Sequence, residues 1–277
     1  MITENEKKRR RDAVEYAKTS VGLEGITLSE EVLEIANKYI QGLLTREEFT
    51  KEYIAAVRAG SYEMSSEETI KDKLSFIRLS ELKENPIQGL FDLEHLKKLN
   101  AYIFQDSPEV AGKFRDEVNA TSGGLWTKYR YFPGWGESLV CYSNMNESDI
   151  QQAEIMLRKI NISTLKTLDK TKFIKEITTL YAALDQFHPF PDGNSRTLRE
   201  FTRTLALEAG YKLDWAKHSR ETIYSARDVM VNNIMIDKLQ GNPNQRWAIT
   251  QLKQEIKDLQ QHPNYKPLEQ IIQEEIR

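Results

Sequence analysis

Long apolar runs are missing from this 277-residue chain, so no segment reads as a membrane span or a secretory leader. Cysteine is nearly absent. The single Cys141 excludes an internal disulfide framework, fits a reducing cytosol, and has no His-Asn or His-Asp pattern beside it to make it a nucleophile; it reads as a small strand or core residue. Charge of one sign is also lacking: 39 basic against 42 acidic residues leave a net −3, which argues against a general nucleic-acid binder. The run Lys7-Lys8-Arg9-Arg10-Arg11 is the local exception and reads as the solvated face of a charged helix. Of four histidines, none has metal-ligand spacing with another; His95 falls on the exposed-looking side of an amphipathic segment, and His218 and His262 lie in polar surroundings.

What is present is helical periodicity. Phe173, Ile174, Ile177, Leu180, Tyr181, Leu184 and Phe187 recur on one stripe, which predicts a helix over 169–187. Pro189 stops it and puts His188 at its end. A second helix restarts near Asn194, carries Leu198, Phe201, Thr202 and Leu205, and ends by Gly210. Between them lies His188-Pro189-Phe190-Pro191-Asp192-Gly193-Asn194-Ser195-Arg196-Thr197-Leu198-Arg199.

The first amides of a helix lack intrahelical partners and carry partial positive charge, so they suit phosphate oxygens. Gly193 allows close approach to the backbone. Arg196 and Arg199, three apart, share a face and can each grip phosphate with two N–H groups. Asp192 would repel phosphate alone, but a carboxylate with phosphate oxygens is how magnesium is held. His188 is the group here that exchanges a proton near neutral pH. Each part alone is an ordinary helix end or turn; the conjunction points to a nucleotide triphosphate site.

These residues resemble the Fic-domain signature His-Pro-Phe-x-Asp/Glu-Gly-Asn-Gly-Arg-x-x-Arg at eleven of twelve positions, Ser195 replacing the second glycine. The likeness extends to Phe91–Leu99, Ala111–Arg115 and Leu205–Trp215, over about 66–240. It implies a mainly α fold, a Fic-type helical bundle with a small β-hairpin flap, and transfer of AMP from ATP, with Mg²⁺, to a Tyr, Thr or Ser hydroxyl of a protein. By the resemblance His188 is the base, Asp192 the metal ligand, and the amides of Gly193, Asn194 and Ser195 the anion hole. Arg196 and Arg199 grip the β- and γ-phosphates, Phe190 anchors the loop, and Leu139, Val140, Cys141 and Tyr142 resemble the flap edge on which a target docks.

Three short helices precede this region: one bearing Ala13, Val14, Ala17 and Val21, then 30–41 and 45–59, the last opened by a Thr45/Glu48 capping box. Residues 1–62 resemble the small antitoxin of Fic toxins, and Ser20-Val21-Gly22-Leu23-Glu24-Gly25 its inhibitory motif. The resemblance implies that Glu24 competes with ATP for Arg199 and that Ser20 belongs to the same motif. Segments 1–62, 66–240 and 241–277 are the expected divisions. The Gln- and Glu-rich tail has an apolar stripe fit either to dock on the core or to pair two chains, and self-modification stays open. The expected setting is the bacterial cytoplasm, without membrane or specific nucleic-acid partners. Ser122-Gly123-Gly124 and Phe132–Gly136 are turn signals around short strands. Alternatives are a Fic-like module that binds nucleotide without transferring it, or one that moves a different phosphate-containing group.

Overall fold

Capping and stripe periodicity set most helix boundaries in the computed structural model, which describes residues 2–60, 67–118 and 124–277, with the side chains of 67–69 left aside. Ser122 and Gly123 of the predicted turn lie outside the described residues. The helices are α1 (Glu4–Gly22), α2 (Glu30–Ile40), α3 (Arg46–Ala59), α4 (Glu67–Glu84) and α5 (Leu93–Ile103). A hairpin of β1 (Trp126–Phe132) and β2 (Gly136–Tyr142) follows. Then come α6 (Glu147–Arg158), α7 (Ile162–Thr167), α8 (Lys170–Phe187), α9 (Asn194–Glu208), α10 (Arg220–Leu239), α11 (Arg246–Gln260) and α12 (Leu268–Glu275). Among the described residues the chain is mainly α with one antiparallel pair of strands.

The chain falls into two compact units. The first comprises 1–89 and 97–113, the second 90–96 and 114–277. In the first, Thr3 Oγ1 accepts from Glu6 N to start α1, and Thr45 with Glu48 forms the capping box of α3 in both directions. Tyr39 stacks on Phe49 at 4.7 Å between ring centres, and its hydroxyl donates to the Glu84 carboxylate at 2.8 Å. Arg46 pairs with the same carboxylate and lies over the Tyr39 ring. Of the basic run, Arg10 is half-buried rather than solvated, since it donates to the carbonyls of Tyr39 and Leu44.

In the second unit, α8 is walled by buried Phe173, Ile177, Tyr181 and Leu184, and α9 is buried from Asn194 through Ala206. Helix α10 packs on α8, β2 and α11. The tail is part of this core: Leu252, Leu259, Ile271 and Ile272 are buried, α12 packs on α8, and Leu213 and Ile276 form an isolated bridge. His95 is buried, contrary to its expected exposed side. It packs against Phe91 and Phe201, and its Nδ1 accepts from Phe91 N at 3.3 Å. His262 is likewise set between Phe132 and Trp135 rather than in polar surroundings. No helix among the described residues is long and apolar enough to cross a membrane.

Candidate active site at the loop between α8 and α9

His188 closes α8 in the left-handed conformation, at φ 45° and ψ 61°. A non-glycine residue there costs on the order of 1–3 kcal/mol, so neighbours must hold it. They do so through the last two carbonyls of α8 and the two that follow. Ser143 N donates to Gln186 O at 2.9 Å, Ser143 Oγ to Phe187 O at 2.6 Å, and Arg115 Nε to His188 O at 2.8 Å. Arg115 N adds a bond to Pro189 O at 2.8 Å. Four donors thus fix where the imidazole leaves the helix.

The loop that follows is closed by one side chain. Asn194 Oδ1 accepts from Phe190 N at 2.9 Å while its Nδ2 donates to Phe190 O at 2.7 Å, and Phe190 is buried against Phe114. Gly193, at φ 72°, turns the chain into α9, whose start has no side-chain cap. The open end of that helix faces the loop, as anion binding requires. Arg196 and Arg199 are both buried on its first turns, and Arg196 Nη2 lies 3.5 Å from Asp192 Oδ1. Asp192 is the partly exposed acid, about one-quarter open. The described residues contain no cluster of His, Cys, Asp and Glu able to cage a metal. Asp192 Oδ1 accepts from Gly193 N at 2.5 Å, and a partly exposed carboxylate of this kind suits Mg²⁺, which dehydrates reluctantly and binds through one or two carboxylates plus substrate phosphates.

Around His188 the structure gathers Lys128, Asp185 and Arg227, to which the sequence assigns no role, together with Tyr142. Lys128 Nζ, on β1, is 3.3 Å from Nε2, and the Tyr142 ring centre is 3.9 Å from the imidazole. Asp185 Oδ1 is 3.9 Å from Nδ1 and is itself forked by Arg227, with Nε to Oδ2 at 2.8 Å and Nη2 to Oδ1 at 2.6 Å. Arg227 Nη1 donates to Ser195 Oγ at 2.9 Å. A neighbouring pair, Arg130 Nε to Asp228 Oδ2 at 2.6 Å, extends to the Tyr142 hydroxyl. Burial pushes His188 down to about 3, Asp185 opposing and Lys128 and Arg227 adding to the shift. Burial thus favours the neutral form of the ring. A signal for Arg227 and Asp228 was present: two adjacent charges inside the apolar middle of α10 need buried partners.

Leu139, Val140, Cys141 and Tyr142 do not form an open edge. All four are buried, Leu139 N and Cys141 N donate to Glu255 and Asn232, and Asn232 Nδ2 donates to Leu139 O. Four consecutive apolar residues fill both faces of a buried strand, whereas a half-solvated strand alternates. The exposed strand is β1, which shows Thr127, Tyr129 and Tyr131 to solvent. Glu24 and Ser20 sit in the other unit: Ser20 is buried on α1, and Glu24 is half-buried in the turn after it, Glu24 N donating to Val21 O at 2.9 Å.

Residues 90–206 match the Fic/DOC family, and residues 10–56 match the antitoxin VbhA. The chain carries a Fic/DOC domain behind an antitoxin-type segment. It is 31% identical over 194 residues to protein adenylyltransferase VbhT of Bartonella schoenbuchensis, covering 66% of this chain and 37% of that protein. A protein adenylyltransferase of Bartonella henselae is 24% identical over 197 residues, covering 68% and 35%. The chain thus spans about a third of the length of these curated relatives. The solved N-terminal FIC domain of Bep8 from Bartonella sp. 1-1C overlaps 73% of this chain and 90% of that one, at 22% identity and a TM-score of 0.47. Within the Fic/DOC domain fall the whole loop from His188 to Arg199, Asp185, and the hairpin.

Proposed function

We propose that the chain is a protein adenylyltransferase that moves AMP from ATP to a Tyr, Thr or Ser hydroxyl of another protein. The observation that carries this reading is the placement of a buried histidine beside a helix start that has no side-chain cap and bears two arginines and a partly exposed carboxylate. His188 Nε2 takes the hydroxyl proton. The oxygen then bonds to the α-phosphorus, the bond from that phosphorus to the bridging oxygen breaks, and pyrophosphate leaves with its electron pair. The amides of Gly193, Asn194 and Ser195 take the phosphate oxygens, with Arg196 on the β- and Arg199 on the γ-phosphate. Asp192 would hold Mg²⁺, which supplies charge neutralisation on the phosphates. An imidazole at about 3 is a weak base, but phosphate anions near Nε2 favour its charged form and raise it towards neutrality. Orientation of reactants of this kind is worth roughly 7–11 kcal/mol of barrier.

Restraint by the N-terminal unit is the second part of the proposal. Glu24 competes with the γ-phosphate for Arg199, so that ATP binds without its α-phosphate turned to the attacking oxygen; the match of 10–56 to an antitoxin supports this role. A target docks on the exposed edge of β1 by adding a strand, with Tyr129 and Tyr131 as its contacts. The test is incubation of the Glu24→Gly chain and candidate proteins with ATP labelled separately at the α and γ positions. Protein-bound label from the α position is expected. Label from γ alone would mean phosphorylation, and label from neither would favour a nucleotide-binding module.

A further inference from the structure

Groups of opposite charge face the two ring nitrogens of His188. Towards Nδ1 stands Asp185 Oδ1 at 3.9 Å, one helical turn earlier on α8, and Nδ1 makes no hydrogen bond to the described residues. Towards Nε2 stands the Lys128 ammonium at 3.3 Å, from β1. A carboxylate can only accept and an ammonium can only donate. One assignment satisfies both: the proton on Nδ1 and the lone pair on Nε2. The 3.9 Å separation is too long for a hydrogen bond, so Asp185 acts through its charge. Burial strengthens that action, because Asp185 is 1% exposed and His188 5%.

Asp185 is held in turn. Arg227 from α10 grips both of its oxygens, and the third arm of the same guanidinium reaches Ser195 Oγ at 2.9 Å. Arginine has donors only, so the serine oxygen accepts this bond. A glycine at 195 would leave that buried N–H without this acceptor. The one departure from the loop signature therefore has a physical account. The hydroxyl ties the first turn of α9, where phosphate binds, through Arg227 to the carboxylate behind the imidazole. Among the described residues the ring also meets Tyr142 on β2 and Trp126 on β1, while Arg115 holds the His188 carbonyl.

We infer that Asp185, Arg227 and Ser195 form a positioning network that locks His188 with its proton on Nδ1 and its lone pair on Nε2. Asp185 and Arg227 act through the histidine and touch no reacting atom. Only the rate arm of the test rests on the proposed transfer reaction; the protonation arm stands whichever group is moved, or if none is. The experiment is nitrogen NMR of the full chain labelled at its histidines, with His188 assigned by loss of its signals in His188→Gln. At pH 7 the wild type should show a neutral ring protonated on Nδ1. Asp185→Asn should move a large part of the population to the Nε2–H form. It should also lower kcat by about ten-fold or more, with KM for ATP changed by less than about three-fold. A purely structural ion pair would alter stability and leave the ring's protonation as it was. Nε2–H in the wild type overturns the inference, as does unchanged protonation in a folded Asp185→Asn. Should that variant fail to fold, the wild-type spectrum decides alone.

Discussion

Replacing Asn194 with alanine removes both bonds that close the His188–Asn194 loop at once. Phe190 N loses its 2.9 Å acceptor and Phe190 O its 2.7 Å donor, at a residue 1% exposed. Leaving a buried backbone group unsatisfied costs about 1–3 kcal/mol each, so the pair predicts a loss of roughly 2–4 kcal/mol once some water reaches the gap. The damage is local. His188 is held from the other side by Arg115 and Ser143, whereas Gly193 and the first turn of α9 depend on the clasp for their place against the loop. Transfer should therefore fall with a raised KM for ATP, because the phosphate-binding amides move while the base does not. Urea unfolding of the two proteins, alongside kcat and KM from labelled-ATP kinetics, reads both effects. Asn194→Ala within about 0.5 kcal/mol of wild type, or with KM unchanged and only kcat reduced, would refute the idea that this side chain holds the anion site in place.

Other outcomes follow from the same structure. Glu24→Gly should raise AMP transfer strongly, and equal activity of wild type and variant at saturating ATP would discard the competition with the γ-phosphate. Tyr129→Ser combined with Tyr131→Ser should raise KM for the protein target while the Kd for ATP, by calorimetry, stays the same; an unchanged KM for the target removes β1 as the docking edge. Glu275 is buried and pushed up to about 7, burial outweighing its bonds from Lys217 N and Ala216 N, so the folded chain keeps a proton there that the unfolded chain releases above an ordinary 4.5. Its contribution is full below about 4.5 and is lost as pH rises to about 7, roughly 3 kcal/mol in all. His188 has the opposite sign: held at about 3 against an ordinary 6.5, it contributes fully above 6.5 and loses that as pH falls. The two oppose each other between about 4.5 and 6.5. Urea unfolding of Glu275→Gln should thus gain on wild type between pH 5 and pH 8, and a difference independent of pH would contradict the assignment.

The loop and its two helices were legible because their signals are local. Pro189 fixes the end of α8, Gly193 the turn, and the apolar stripes the two helix faces, and each observed boundary lies within two residues of the predicted one. The Thr45/Glu48 capping box is equally local and forms as read. What escaped was long-range pairing. Asp185 and Arg227 are 42 positions apart, and nothing in either segment announces the other. His95 looked solvent-facing because its own helix leaves that side polar, yet Phe201 of α9 covers it. In the hairpin, position alone puts Leu139–Tyr142 at the docking edge, whereas four successive apolar residues describe a strand enclosed on both sides, and all four are buried. The tail's place was open on sequence and is decided by Leu252, Leu259, Ile271 and Ile272 entering the core of the second unit.

The measurement that bears most directly on the central claim compares Glu24→Gly with Glu24→Gly/His188→Ala, each given ATP labelled at the α position and the same protein targets. Label on protein from the first and none from the second is the predicted result. Equal labelling by both would show that AMP moves without the α8-end imidazole, and would contradict the assignment of His188 as the base.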